Sequence, residues 1–261
     1  MKEKKWVEIK NFACDIRKNL LKSIEGICEI NNVLYLVSAY GISTLNNELY
    51  KFSSSSYLGY IASCQVENNI LVILEDFDVS DFLEYKLLDT KNGKISEGDI
   101  ETGRRHFAVA HYLDQLWIVG GCSDKHGALK AIQTFDLVSG TLYFSPVEMI
   151  QARSDPKIIV YKNNLFVFGG CDEDTKPLSS VEMYSPKTNK FVLMTPMKIA
   201  RFKFACCRVG NLVYVIGGRT ADYKTKSVEI YNLDTDTWTC GADFPIESSH
   251  LGGCVVSNIL Q

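Results

Sequence analysis

Two stretches decide the fold: RSDPKIIVYKNNLFVFGG at 153–170 followed by SVEMYSPKTNKF at 180–191, and RFKFACCRVGNLVYVIGG at 201–218 followed by SVEIYNLDTDTW at 227–238. Each begins with an arginine, passes through two apolar runs to a glycine pair, and then carries two large side chains seven residues apart across a polar turn. A third copy starts at Arg104. Arg104, Arg153 and Arg201 each lie 16 residues before the first glycine of the pairs Gly120–Gly121, Gly169–Gly170 and Gly217–Gly218, and those first glycines are 49 and 48 residues apart. The seven-residue pairs are Phe135 with Leu142, Tyr184 with Phe191, and Tyr231 with Trp238. Four linked positions recurring three times mark a repeat array.

The pattern has a physical reading. Short runs rich in β-branched and aromatic residues favour strands, and a glycine pair ends such a strand where the backbone turns tightly or is closely approached. Residues seven apart across a polar turn can sit on paired strands, where both side chains reach the space between neighbouring sheets. Each unit reads as four strands, and sheets of this size repeated radially bury their faces against one another and leave only short edges.

Weaker copies extend towards the N-terminus. In NNVLYLVSA the glycine pair is replaced by Ser38 and Ala39, with Tyr50 and Tyr57 as the later pair; in NNILVILED it is replaced by Leu74 and Glu75, with Leu88 and Ile95 following. The intervals are 36, 46, 49 and 48 residues, so the first unit is about a dozen short and is expected to have a trimmed outer strand or loop. HLGGCVVSN near the C-terminus matches the inner strands of the other units, which places Gly252 and Gly253 before a strand. Lys5, Trp6, Val7 and Glu8 resemble an outer strand. The expected architecture is one all-β domain over 1–261, a six-bladed propeller with one incomplete or divergent blade. A five-bladed ring is the alternative.

These motifs resemble the kelch repeat, most closely the propellers of BTB–BACK–kelch proteins, and the resemblance covers nearly the whole chain. It is carried by Arg201, Gly217, Gly218, Tyr231 and Trp238 together, by the matching set Arg153, Gly169, Gly170, Tyr184 and Phe191, and by SVEMYSPKTNKF and SVEIYNLDTDTW. It implies a protein-recognition domain that recruits substrates to a cullin-3 ubiquitin ligase through BTB and BACK modules, which these 261 residues do not include. It also brings two other kelch functions into view, actin or cytoskeleton binding and propeller enzymes such as copper oxidases and sialidases.

Composition narrows the partners. With 28 basic and 31 acidic side chains the net charge is −3, so no cationic excess is available to neutralise phosphates, and nucleic acid is not the expected ligand. No run approaches the ~18 apolar residues of a membrane span, and MKEKKW is not followed by the apolar core of a secretory signal. The nine cysteines form no C-x-x-C pair and mostly sit in apolar runs, as expected of buried small hydrophobes in a reducing compartment. A cytoplasmic location is expected, with the nucleus as the alternative.

No catalytic or cofactor signature emerges. His106 and His111 are five residues apart across a strand and do not converge, while His126 and His250 are isolated. There is no H-E-x-x-H, G-x-S-x-G or G-x-G-x-x-G, so no metal or cofactor is expected. Arg104, Arg153 and Arg201 precede the inner strands on one rim. They have two readings: ligands of loop carbonyls and carboxylates inside the scaffold, or a ring of guanidinium forks receiving an acidic partner segment. In the second reading Arg105, His106, Phe202 and Lys203 widen the surface. The loops after the glycine pairs, 123–128, 172–177 and 219–225, are the other expected contacts, with Asp172, Glu173, Arg219 and Tyr223 among them.

Overall fold

A computed structural model describes residues 24–30, 33–38, 41–44, 49–51, 58–67, 69–76 and 82–249. The apolar runs become strands, and the turn signals between them become hairpin loops. The first sheet contains β1 (Ile24–Ile30), β2 (Val33–Ser38), β3 (Gly41–Thr44) and β4 (Leu49–Lys51). The second contains β5 (Leu58–Val66), β6 (Asn69–Asp76), β7 (Phe82–Asp89) and β8 (Ile95–Glu101). The third is built from β9 (Ala108–Tyr112) and β10 (Gln115–Val119), then, after a small hairpin of β11 (Cys122–Ser123) and β12 (Gly127–Ala128), from β13 (Ala131–Asp136) and β14 (Thr141–Glu148). β15 (Lys157–Tyr161), β16 (Asn164–Phe168), β17 (Val181–Ser185) and β18 (Lys190–Met194) form the fourth. The fifth is β19 (Ala205–Val209), β20 (Leu212–Ile216), β21 (Val228–Asn232) and β22 (Thr237–Cys240).

All five sheets are antiparallel meanders, and their first strands lie side by side in chain order. This is the all-β propeller arrangement. The connection from β2 to β3 is two residues long, against eleven or twelve between the equivalent strands of the last three sheets, which accounts for most of the short first repeat; the outer strand β4 has three residues. The segments on which the choice between six and five blades turns, Lys5 to Glu8 and the strand after Gly252–Gly253, lie outside the described residues, as do Ala39 and Tyr57. At Leu74 and Glu75 the ladder continues, opposite Glu84 and Leu83, so the lost glycine pair is replaced by a longer strand.

The seven-residue pairs are direct cross-strand partners: Phe135 opposite Leu142, Tyr184 opposite Phe191, Tyr231 opposite Trp238, and Leu88 opposite Ile95. The first member of each of the three clearest pairs fills the seam to the preceding sheet. Tyr231 packs on Phe168 of the fourth sheet with ring centroids 5.7 Å apart, Tyr184 on Trp117 of the third at 5.1 Å, and Phe135 on Tyr85 of the second at 5.7 Å. The core is therefore a series of seams.

Trp238 is half-buried; its ring lies 4.8 Å from that of Tyr231 and its Nε1–H donates to the Thr195 carbonyl at 2.8 Å. Tyr231→Ala should cost about 3–5 kcal/mol as a buried aromatic truncation, whereas Trp238→Ala should cost only about 1–3 kcal/mol for partial burial and one hydrogen bond. Urea denaturation of the two variants checks this order. Equal losses would contradict the seam geometry. Cys64, Cys122, Cys171, Cys206, Cys207 and Cys240 form no disulfide. Burial pushes the Cys171 thiol up to about 12 and Cys207 to about 11, so both are protonated at neutral pH.

Candidate partner-binding face

Each glycine pair is the point where the chain entering the next sheet crosses the end of a second strand. Gly169 and Gly170 have φ of 52° and 96°, and a Cβ on Gly170 would stand 2.5 Å from the Ser154 carbonyl oxygen. The Gly170 N–H donates to Arg201 O of the next linker at 3.1 Å. The same stitch runs from Gly121 N to Arg153 O at 2.9 Å and from Gly218 N to Ser248 O at 2.7 Å. The last linker is thus held as the others are, with serine where they have arginine.

The three arginines face inward. Arg153 and Arg201 have no exposed surface, and Arg104 retains 5%. Arg153 Nη1 donates to the carbonyls of Gly169 at 2.8 Å and Ser180 at 3.2 Å, and Arg201 Nη1 to those of Gly217 at 2.7 Å and Ser227 at 3.1 Å. Their Nη2 groups bind Ser180 Oγ and the buried Glu182, and Ser227 Oγ and the buried Glu229. Each glutamate also accepts two linker amides, Ile150 and Gln151 at Glu182, Lys198 and Ile199 at Glu229. Of the two sequence readings, the scaffold one describes these side chains. The expected exposed guanidinium ring is corrected: all three arginines are buried, and the forks of Arg153 and Arg201 are spent on strand-end carbonyls and on Glu182 and Glu229. Phe202, expected at the surface, is 9% exposed with Lys203 Nζ lying 5.9 Å from its ring centre, and is corrected likewise.

What this rim presents instead is its loops and the residues beside the inner strands. Bridges join Arg105 to Cys122, Ser154 to Cys171 and Phe202 to Arg219, bringing the segment before each inner strand against the residue after each glycine pair. Beyond them the chain folds back on itself: Cys122–Ser123 pairs with Gly127–Ala128, Cys171 with Pro177, and Arg219 with Lys224. Asp172 Oδ1 accepts the amides of Asp174 and Lys176, and Thr220 Oγ1 that of Tyr223. Loops tied down in this way have little entropy left to lose in any contact they make. Tyr223 is 57% exposed, Arg219 in the same loop is exposed, and so is Glu173 in the 172–177 loop, next to Gly127. Arg105 is half-buried and pairs with Asp124 at 2.5 Å; His106 Nδ1 lies 3.3 Å from Asp155 Oδ1 across a seam. His106, Asp155 and Lys203 hold equivalent places two residues after the arginines, all with positive φ. Among the described residues no three His, Cys, Asp or Glu side chains converge as a metal site.

Residues 74–250 match the family model described as the KLHDC2/KLHL20/DRC7 Kelch-repeats domain. The chain belongs to the kelch-repeat family. It is similar to Kelch-like protein 38 of Rattus norvegicus, 28% identical over 155 residues that cover 58% of this chain and 26% of that protein. It is also similar to Kelch-like protein 40 of Mus musculus, 23% identical over 246 residues that cover 85% of this chain and 38% of the relative. The chain thus spans well under two thirds of the length of these kelch relatives. The solved structure titled "Structure of YjhT" shares the fold, with a TM-score of 0.64 at 11% identity, covering 75% of this chain and 68% of that one.

Within this kelch frame, sequence reasoning missed the acids. Glu182 and Glu229 sit two residues before Tyr184 and Tyr231, in the repeated tripeptide SVE, and are as regular as the arginines they bind. The third sheet reads AIQ at the same place, 131–133, and the second has Lys86, buried and paired with Glu84 and Glu97.

Proposed function

We propose that the rim carrying 122–128, 172–177 and 219–224 recognises a partner protein, and that the chain is the recognition part of an adaptor. The observation that carries this is the set of three tied-back loops presenting Tyr223, Arg219 and Glu173 on a scaffold whose own charges are internally satisfied at Arg153 and Arg201. An exposed aromatic flanked by Arg219 and Lys224 has the composition of an interface anchor. Cations at Arg105, Lys125, Lys203, Arg219 and Lys224 stand among Asp124, Asp172, Glu173 and Asp222, which suits a charge-patterned protein segment with acidic positions. Delivery of that partner to a cullin-3 ubiquitin ligase through BTB and BACK modules is the further step of the reading. It is supported by the resemblance to Kelch-like proteins.

Proximity labelling with the full-length protein should identify the partner, and calorimetry on the purified pair tests the face. Replacing Arg219 and Tyr223 together with alanine should weaken binding by roughly tenfold or more, the scale of a central aromatic and arginine anchor, with the melting temperature unchanged. Full affinity in that folded variant would place recognition elsewhere.

A further inference from the structure

Arg104 differs from its two equivalents. Its Nη1 keeps the carbonyl pair, donating to Gly120 O at 3.1 Å and Ala131 O at 2.8 Å. The partners of Nη2 are gone: Ser180 and Ser227 correspond to Ala131, and Glu182 and Glu229 to Gln133. Among the described residues the Arg104 side chain makes no hydrogen bond beyond that Nη1 pair; Nε is unpartnered here as it is in Arg153, and Gln133 Oε1 is buried without a partner. Gln133 Nε2 reaches Thr102 O only at 3.4 Å. A guanidinium 95% withdrawn from water thus lacks the acid that neutralises it in the next two sheets. Burial lowers its pKa to about 10, which still leaves it charged at neutral pH. An uncompensated buried charge is costly, and a site holding one gains from any anion that can reach it.

A cleft of about 200 Å³ adjoins this arginine. It is lined by Gly103, Arg104, Arg105 and the 122–125 loop. Arg105 and Lys125 add two cations to its wall, against one acid, Asp124. We propose that this cleft binds an oxyanion, a carboxylate or a phosphate, whose charge takes the place of the glutamate missing opposite Arg104. The proposal rests on the partner-binding reading of this face only for the natural source of the anion, which would be a side chain of the partner segment; a free anion is the other source.

The test uses the purified chain and inorganic phosphate or acetate as probes, with chloride at matched ionic strength as control. Phosphate should raise the melting temperature saturably in the wild type. Gln133→Glu supplies the acid internally and keeps the fold, so it should raise the melting temperature without any anion. It should also weaken the phosphate response about tenfold, the worth of one charge-assisted contact. Lys125→Ala, on an exposed loop, should weaken the response with the anion-free melting temperature unchanged. Competition of phosphate with the identified partner assigns the anion to the partner segment, and binding of both without competition assigns it to a free ion. A phosphate response surviving alongside failed partner recognition would refute only the face's reading. No stabilisation beyond the chloride control, or an unaltered response in Gln133→Glu, overturns the proposal.

Discussion

Glu182→Ala should destabilise the protein by about 3–5 kcal/mol, because it leaves Arg153 charged, buried and without an acid. The side chain has no exposed surface, binds the guanidinium of Arg153 and accepts the amides of Ile150 and Gln151 that lead into the fourth sheet. Its loss therefore opens three contacts at one seam. Replacing the pair together, Arg153→Met with Glu182→Leu, should recover much of the loss, since two apolar side chains of similar size need no neutralisation. Gln133→Ala removes no charge and should cost far less. Urea denaturation of the four proteins checks the series, and a Glu182→Ala variant as stable as the wild type would contradict the pairing.

Gly170→Val should cost about 2–5 kcal/mol, combining backbone strain with overpacking. The residue stands at φ 96°, and its Cβ would meet the Ser154 carbonyl at 2.5 Å and the Pro156 backbone at 3.3 Å. Neither neighbour can retreat without moving the linker that carries Arg153. Gly140 is the control: its φ of 66° brings the same kind of strain, but no atom lies within 4 Å of its Cβ. Gly140→Ala should therefore lose only about 1 kcal/mol. Thermal melts decide it, and similar losses at the two positions would mean that crowding by the next linker is not what the glycine pair serves.

These effects show what was legible in the sequence. Strand order and the cross-strand pairing of Tyr184 with Phe191 and Tyr231 with Trp238 follow from spacing alone, since a hairpin of fixed turn length fixes its register. The rim on which Arg104, Arg153 and Arg201 lie was legible for the same reason. The direction of their side chains was not, because it is set by acids 28 or 29 residues downstream, at Glu229 and Glu182. An arginine before a strand looks alike whether its fork meets water or a buried glutamate; only the recurrence of SVE beside it, read as a partner, distinguishes the two. The exception at Ala131 and Gln133 then becomes informative, since it leaves Arg104 as the buried fork with half its partners missing. At Leu74 and Glu75 the missing glycines signalled divergence, but the continued ladder with Leu83 and Glu84 needed the structure, because either a loop or a longer strand could follow from the same residues.

The central claim, that a protein partner sits on the rim of the glycine-pair loops, is tested most directly by hydrogen-exchange footprinting of the full-length protein with its purified partner. The prediction is protection of amides in 122–128, 172–177 and 219–224 on binding, with the opposite-rim turns at 113–114, 162–163, 187–189 and 210–211 exchanging as in the free protein. Protection confined to those opposite turns, with the three loops unchanged, would contradict it.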